Sequence, residues 1–410
     1  MRPFDAKFFD AKFFDAKFFD AHCDTIGKIY ERGDDFSAAG DDGLEMRPVA
    51  PDGAADAPER TAHAPIPGET PAESLGLSYH PGGKSLHITL PGLRAAGVRA
   101  QVFASWAWSE RYEGREFEVA MGEVEAVRHL CDRYPEDLVL ALSGAQVEQA
   151  FSGDASDTRI AAIPGLEGTD ALLGRVDNLA AFHRAGVRIL TLAWHDTAFC
   201  GSTYGKGTGL TPKGVELVEA CEDSGVLIDL SHASDHAFFD VCRVAKRPFI
   251  ASHSNCRSLC PSPRNLTDEM IREIAERGGV VGITLAPSFL SVEYYRRTKA
   301  INDEFWRSVA EGTATVDEAG EKSAKAEALI PRPPLDLIVD HVRHAIKVGG
   351  VEAVGLGGDL DGVDALPVGF EGVGDYPRVA ALLEGAGLTP ELIDKICCRN
   401  LVRLFRDTLP

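Results

Sequence analysis

Residues able to bind a metal ion follow several short apolar runs of this sequence, at the points where the runs end. Taken singly these are weak signals, because a lone histidine is usually a hydrogen-bonded core residue and an Asp-x-Asp-Gly segment is often a turn. Taken together they predict one metal site. The five segments lie at residues 22–24, 164–168, 229–232, 252–254 and 358–362.

The chemistry that such a set supports is metal-assisted hydrolysis. Side chains alternate along a strand, so His22 and Asp24 are expected to point to one side and Cys23 to the other. Imidazoles from His232 and His253 and a carboxylate able to bridge would complete a two-metal site. Such ligands suit Zn²⁺, with Mn²⁺, Fe²⁺ or Co²⁺ as alternatives. Two metals ~3.5–4 Å apart can activate water and polarise a carbonyl.

The elements that position these residues are predicted to alternate between strand and helix. Most gaps between the β-rich runs hold amphipathic stretches, such as Leu335, Ile338, Val339, Val342 and Ile346 on one helical face. Eight alternating pairs predict a (β/α)₈ barrel, whose strand ends meet on one face and hold the active site. A ninth run, 138–143, is treated as an accessory strand. The eight runs are 18–21, 98–105, 159–163, 188–193, 226–230, 248–251, 279–285 and 353–356.

The chain is predicted to be one barrel domain over residues 18–410, preceded by a leader without assigned function. The leader, 1–17, repeats FDAKF at a five-residue period, which matches no helical or solenoid repeat. Two loop insertions are expected. Residues 33–91 are rich in Gly, Pro and Ala, and residues 291–334 are charged and helix-prone, in the loop after the seventh strand.

Composition excludes several classes of function. The 410 residues carry 42 Lys and Arg against 63 Asp and Glu, a formal net charge of −21. So acidic a surface repels phosphate backbones and anionic lipids, so neither a nucleic-acid nor a membrane partner is expected. No apolar run reaches the ~18 residues of a membrane span. Nine cysteines without framework spacing indicate a reducing compartment, and we expect a cytoplasmic protein.

The matching segments resemble the renal (membrane) dipeptidase family of zinc peptidases, as a soluble member of bacterial type. They extend over nearly the whole predicted domain, and the SHS…PRN and GGDLDG segments are specific. The family resemblance implies a (β/α)₈ barrel with a binuclear zinc centre that cleaves dipeptides through a metal-bridging hydroxide. The segments are FDAHCDT, PGLEG, GVRILTLAW, GVLIDLSH, PFIASHSNCRSLCPSPRNLTDEMI, AVGLGGDLDGV and NLVRLF.

The resemblance also implies roles for individual residues. His22 and Asp24 would bind one zinc, Glu167 would bridge both, and His232 and His253 would bind the second. The guanidinium of Arg264, in the PRN segment, would pair with the carboxylate of the dipeptide. Asp359 would act as the acid and base, with Asp361 as second choice and as a residue that more simply shapes the turn. These assignments name the seven site residues His22, Asp24, Glu167, His232, His253, Arg264 and Asp359.

Two positions depart from the family pattern. Members with dipeptidase activity often have a histidine after the fourth strand that stabilises the oxyanion. Here Trp194 stands at that position, as a candidate substrate contact, and His195 follows it as a candidate for the oxyanion role. Cys23 stands where the family usually has Asn. Trp106 and Trp108 follow the second strand and would either line the pocket or pack in the core.

Other hydrolytic reactions and a catalytically impaired protein are also compatible with the sequence. Barrels that begin with His-x-Asp also hydrolyse other amides, lactams, esters and phosphoesters, and a fold alone does not choose among them. The shifted Trp194–His195 pair also allows a metal-binding protein with impaired catalysis. A homodimer is a further expectation for a barrel of this kind. His341 and His344, one turn apart on a predicted outer helix, are expected to be solvated.

Overall fold

The computed structural model describes residues 16–37, 86–112, 114–153 and 157–410. Most of the repeat leader at 1–17 and most of the insertion predicted at 33–91 therefore lie outside the described residues. The division into a leader and one barrel domain stays a prediction.

Within the described residues, nine parallel strands form one sheet, and eight of them close into a barrel. β1 pairs with β2 and β9, β2 pairs with β4, and pairing then proceeds in order from β4 to β9. The accessory strand β3 pairs with the first residues of β4, whereas β5 pairs with the last residues of β4. The predicted (β/α)₈ barrel with an accessory strand is thus confirmed. The strands are β1 (Phe18–Cys23), β2 (Val98–Trp106), β3 (Leu138–Leu140), β4 (Ile160–Glu167), β5 (Ile189–Thr191), β6 (Leu227–Asp229), β7 (Ile250–Ala251), β8 (Val280–Ile283) and β9 (Val354–Leu356).

Helices alternate with the strands, and their ends follow local sequence signals. Thr211 caps α7 (Pro212–Ser224) by accepting a hydrogen bond from the Gly214 N–H, Pro212 occupies the first turn, and Gly225 ends the helix at φ 71°. The helices are α1 (Thr25–Arg32), α2 (Leu90–Ala96), α3 (Ser109–Tyr112), α4 (Glu116–Arg133), α5 (Gly144–Ala150), α6 (Leu179–Ala185), α7 (Pro212–Ser224), α8 (Asp235–Val244), α9 (Asp268–Glu276), α10 (Pro287–Leu290), α11 (Val292–Ala310), α12 (Val316–Glu327), α13 (Leu337–Gly349), α14 (Tyr376–Gly385), α15 (Pro390–Asp394) and α16 (Asn400–Thr408).

The barrel interior is filled by apolar side chains from seven strands. They pack with residues of α5 and α16 into one buried cluster, in which the rings of Phe19 and Phe405 lie 4.9 Å apart. The strand residues of this cluster are Phe19, Ala21, Ala100, Val102, Ala161, Ile163, Ile189, Leu227, Ile250 and Val280. Because Phe19 precedes His22 on β1, this cluster fills the end of the barrel opposite the predicted site.

The second predicted insertion follows the seventh barrel strand, β8, and is largely helical. It contributes α11 and α12, and Glu327 of α12 accepts a hydrogen bond from the Tyr294 hydroxyl of α11. Arg111 of α3 lies 3.5 Å from Asp317 of α12 and 3.2 Å from Glu31 of α1. These ion pairs attach the insertion to the loops after the first two strands.

Two expectations from the sequence differ from the structure. β4 continues past Ile163 to Glu167, because Pro164 sits within the strand and its carbonyl accepts a hydrogen bond from the Arg188 N–H. The solvated position expected for His341 is wrong, since this side chain is 1% exposed and its two nitrogens contact Cys256 and Leu290. No helix in the described ranges is long and apolar enough to cross a bilayer.

Candidate active site

The predicted metal ligands come together at the carboxyl ends of the barrel strands. His22, Glu167 and His253 present ligand atoms within 4.8 Å of one another, and so do His22, Asp24 and Asp359. His22 belongs to both groups and therefore joins them. Residues from β1, β4 and the segments after β7 and β9 thus meet at one point, as expected for the catalytic face of this barrel.

Glu167, the last residue of β4, lies at the centre of three imidazoles. Its Oε1 is 3.0 Å from His232 Nε2 and 3.6 Å from His253 Nε2, and its Oε2 is 3.6 Å from His22 Nε2. The two oxygens therefore face different histidines. A carboxylate in this position can bridge two metal ions.

The irregular end of β1 directs His22 toward this centre. The register with β2 shifts between Asp20 and Cys23. Ala21 lies in the cluster that fills the barrel, whereas Cys23 is buried with Ile26 in the outer core. Cys23 is therefore separated from the ligands, but strict alternation along β1 does not hold.

The loop after β9 places Asp359 beside Asp24. The Asp359 N–H donates to the His22 carbonyl, and the Asp24 N–H donates to the Leu360 carbonyl. Gly362 follows closely enough that a Cβ there would overlap both carboxylates. Burial, together with the charges of Asp24 and Glu167, raises the pKa of Asp359 well above its usual range.

Backbone strain is concentrated in the same region. His232, Asp359 and Asp361 have φ angles of 69°, 60° and 70°, in the left-handed region that L-residues seldom adopt. Such conformations persist where surrounding contacts impose them, often at functional sites. For Asp361 those contacts are hydrogen bonds from Thr25, Lys28 and the His87 N–H. Asp361 therefore shapes the loop.

The histidines differ in their charge preferences. Burial, with Arg264 and His22 nearby, lowers the pKa of His232 and of His253 well below the usual range. Both are therefore neutral, which is the form that binds metals. Although burial by itself disfavours an imidazolium, Glu167 and Asp24 hold the pKa of His22 well above its usual range. Burial and Asp24 raise the pKa of Glu167 to about 7.

A buried hydrogen-bond network orients His253. Ser252 Oγ lies 2.8 Å from His253 Nδ1 and donates to Asp229 Oδ2 at 2.6 Å. Asp229 also accepts hydrogen bonds from Thr191 Oγ1 and from the backbone N–H groups of Ser231 and Ser252. Asp229 lies in the segment GVLIDLSH, but the sequence does not indicate that it supports His253.

Arg264 is buried with much of its guanidinium unpaired. It is 3% exposed, and Nε and Nη2 have no hydrogen-bond partner within the part of the chain that the structure describes. One face lies over the Phe289 ring at 5.1 Å, and the Tyr204 hydroxyl interacts with the guanidinium. Asn265 holds the loop by donating to the carbonyls of Cys260 and Phe289.

Trp194 and His195 occupy different surroundings. The Trp194 ring lies 6.1 Å from the His232 ring, at the edge of the site. His195 instead has its nitrogens 3.0 Å from Glu110 and 3.5 Å from Asp170. His195 is thus the one predicted site residue that the structure pairs with carboxylates outside the ligand cluster, and this geometry adds no support to an oxyanion role.

A (β/α)₈ barrel with histidines and carboxylates clustered at its strand ends is an arrangement that suits metal-dependent hydrolysis. Residues 53–409 match the family described as membrane dipeptidase (peptidase family M19). The chain belongs to this family, which makes the protein a metallo-dipeptidase by class. The matched range begins after His22 and Asp24, so the placement of these two residues rests on the geometry above.

Individual relatives agree with this membership. The chain is 30% identical to an uncharacterised Klebsiella pneumoniae protein from the pqqA 5′ region, over 72% of this chain and 97% of that protein. Mouse dipeptidase 3 is 28% identical over 77% of this chain, which spans 57% of the mouse protein. A Rhodobacter sphaeroides metallopeptidase has the same fold, with a TM-score of 0.70 at 22% identity, covering 96% of this chain and 99% of that one.

Proposed function

We propose that this protein is a zinc-dependent dipeptidase that cleaves the peptide bond of dipeptides with a free carboxylate. Arg264 carries the proposal, because a buried, partly unpaired guanidinium beside a metal-competent cluster suits the carboxylate of a short peptide. Family membership supports a dipeptide substrate. The Rhodobacter sphaeroides structure holds a phosphinate mimic of L-Ala-D-Ala, which supports the same class.

The donor set fits two zinc ions. Zinc bonds of about 2.0–2.1 Å in tetrahedral geometry separate neighbouring donors by about 3.3 Å. The distances from Glu167 to the three imidazoles, 3.0 to 3.6 Å, bracket this value. His22 Nε2 is also buried without a hydrogen-bond partner in the described residues. His22 and Asp24 would hold one ion, His232 and His253 the other, and Glu167 both.

The residues of the chain divide the remaining tasks of hydrolysis. When bound, the zinc ions would supply an acidified water and polarise the scissile carbonyl. Asp359, whose raised pKa lets it hold a proton, would take a proton from the attacking water and give it to the leaving amine. Arg264 would orient the substrate through its carboxylate. Trp194 would contact the substrate beside His232.

Replacing Asp359 by Asn tests the acid–base role. The change keeps the size of the side chain but cannot transfer the proton, so kcat should fall by about 10²- to 10⁴-fold. Zinc content, measured by metal analysis, and the circular dichroism spectrum should stay as in the wild type. Turnover of a library of L-L and L-D dipeptides near the wild-type rate would overturn this role.

Replacing Arg264 by Ala separates a dipeptidase from other hydrolases of this barrel type. The wild type should prefer a dipeptide over its C-terminal amide by at least about tenfold in kcat/KM, because charge-assisted pairing requires the carboxylate. The variant should lose that preference, mainly because its kcat/KM for the dipeptide falls. Equal losses for dipeptide and amide would indicate a different substrate class, and two bound zinc ions without cleavage of any amide would indicate a catalytically impaired protein.

Location and assembly complete the proposal. All nine cysteines are free thiols, which supports a reducing, cytoplasmic location. The homodimer remains a prediction.

A further inference from the structure

All four tryptophans of the chain lie together beside the candidate metal site. Trp106, Trp108, Trp194 and Trp306 form a continuous group in which ring centroids are 4.9 to 6.4 Å apart. The ring of Tyr204 extends the group, 5.5 Å from Trp306 and 6.1 Å from Trp194. We call these five side chains the aromatic wall.

The aromatic wall is assembled from three separate segments of the chain. Trp106 ends β2 and Trp108 follows it, Trp194 and Tyr204 follow β5, and Trp306 lies on α11 of the second insertion. Trp108 is buried, whereas the other four members are partly exposed. A group of large rings at the open end of the barrel, left partly uncovered, suits an apolar ligand group.

The wall adjoins one side of the site. Trp194 and Tyr204 lie 6.1 and 5.7 Å from the His232 ring, and the Tyr204 hydroxyl interacts with Arg264. The carboxylates of Asp24 and Asp359, which would attract the amino group of a peptide, lie at the other group of ligands. The wall is therefore closest to the end of the substrate that carries the free carboxylate.

We propose that the aromatic wall selects dipeptides whose carboxyl-terminal residue has a large apolar or aromatic side chain. This inference rests on the proposed dipeptidase function. Trp306 makes the insertion that follows β8 part of the substrate site, since it stacks on Tyr204 at an interplanar angle of 29°. The wall carries no ammonium or guanidinium group of its own, so an acidic side chain in this position would lose water without gaining a partner.

The first test compares three substrates on the zinc-loaded protein. The value of kcat/KM for Ala-Phe should exceed that for Ala-Ala and for Phe-Ala by about tenfold or more, the scale expected for filling an apolar pocket. Trp306→Ala should remove most of this preference, and Trp306→Phe should keep much of it. Arg307→Ala is the matched control, because Arg307 is the next residue on α11 and is exposed.

The second test measures binding without turnover. Because all four tryptophans belong to the wall, intrinsic tryptophan fluorescence reports on this site alone. Zinc-loaded Asp359→Asn protein titrated with Ala-Phe should show a larger emission change and tighter binding than with Ala-Ala. Tighter Ala-Phe binding without cleavage by the wild type would contradict the dipeptidase function but keep the selectivity. Equal cleavage and binding of Ala-Ala and Ala-Phe, or preference for Phe-Ala, would overturn the inference.

Discussion

Ser252 connects one imidazole of the site to a buried carboxylate. Its hydroxyl donates to Asp229, so the contact with His253 Nδ1 leaves His253 Nε2 directed at Glu167. Asp229 is fully buried, and its four hydrogen bonds join β5, β6 and the segment after β7. Partners of this kind orient a ligating histidine and set its tautomer.

Removing this hydroxyl should weaken metal binding while the fold remains. We expect Ser252→Ala to lower zinc affinity by about 10- to 100-fold, measured by competition with a chelator. Activity should return at high zinc concentration. Ser254→Ala is the matched control, because Ser254 Oγ is buried but has no hydrogen-bond partner in the described ranges. Equal zinc affinities for the two variants would contradict a role for Ser252 in orienting His253.

Single residues differed in how far the sequence predicted them. The clustering of His22, Glu167 and His253 was predictable because each is a metal-competent side chain at the end of an apolar run. The role of Asp229 was not, because a carboxylate on a buried strand has the same local pattern whether it binds metal or supports a ligand. The position of Trp306 beside the site was also not predicted, because it depends on how α11 packs against the barrel.

At the scale of elements, His341 attaches α13 to the loop that contains Arg264. The Cys256 N–H donates to His341 Nδ1, and His341 Nε2 lies 3.1 Å from the Leu290 carbonyl. This arrangement matches a neutral imidazole that is protonated on Nε2. Burial lowers the pKa of His341 below its ordinary value of 6.5, although the Leu290 carbonyl opposes this shift.

The sign of the resulting pH dependence follows from this depressed pKa. At pH above 6.5 the imidazole of His341 is neutral in both the folded and the unfolded chain, so its burial does not lower the free energy of unfolding. As pH falls below that value the unfolded chain binds the proton first, and the free energy of unfolding decreases. Between pH 7.5 and 5.5 the wild type should lose up to about 1.4 kcal/mol more than His341→Gln, measured by urea unfolding.

The comparison must separate burial from the mere presence of a histidine. His236 is exposed on α8, so His236→Gln is the matched control for replacing a histidine without removing a buried one. The same slope for His341→Gln and the wild type would contradict a buried neutral His341.

Elements were easier to predict from the sequence than their exact bounds and surroundings. Alternating apolar runs and helical faces predicted all eight barrel strands, because both periods are local properties of the chain. The end of β4 was not predicted correctly because a proline usually ends a strand, whereas β4 continues past Pro164. The burial of His341 was missed because α10, which covers it, comes from another part of the chain.

At the scale of the whole molecule, the barrel has an apolar end and a polar end. Side chains of α16 close the apolar end, where Phe405 packs on Phe19. Gly144 begins α5 so close to α16 that a Cβ at this position would collide with the backbone of Arg406. The site residues follow the opposite ends of the same strands, so stability and chemistry are separated along the barrel axis.

This separation predicts that Phe405→Ala weakens the fold without changing the chemistry. Phe405 is fully buried, and removing its ring should lower the free energy of unfolding by about 3–5 kcal/mol. Zinc content and kcat/KM of the folded protein should change by less than about twofold, since about 0.4 kcal/mol corresponds to that ratio. The measurements are urea unfolding, and metal analysis and dipeptide hydrolysis well below the midpoint of thermal unfolding.

The matched control lies on the same helix. Arg406 is 46% exposed and pairs with Glu148 and Asp407 at the surface, so Arg406→Ala should leave the free energy of unfolding close to that of the wild type. A large loss of kcat/KM in folded Phe405→Ala protein would mean that the apolar end transmits its packing to the strand ends. Retained activity with lowered stability is the expected result. Phe405 packs on Phe19 near the start of β1, whereas the pairing of β1 with β2 and β9 holds His22 in position near its end.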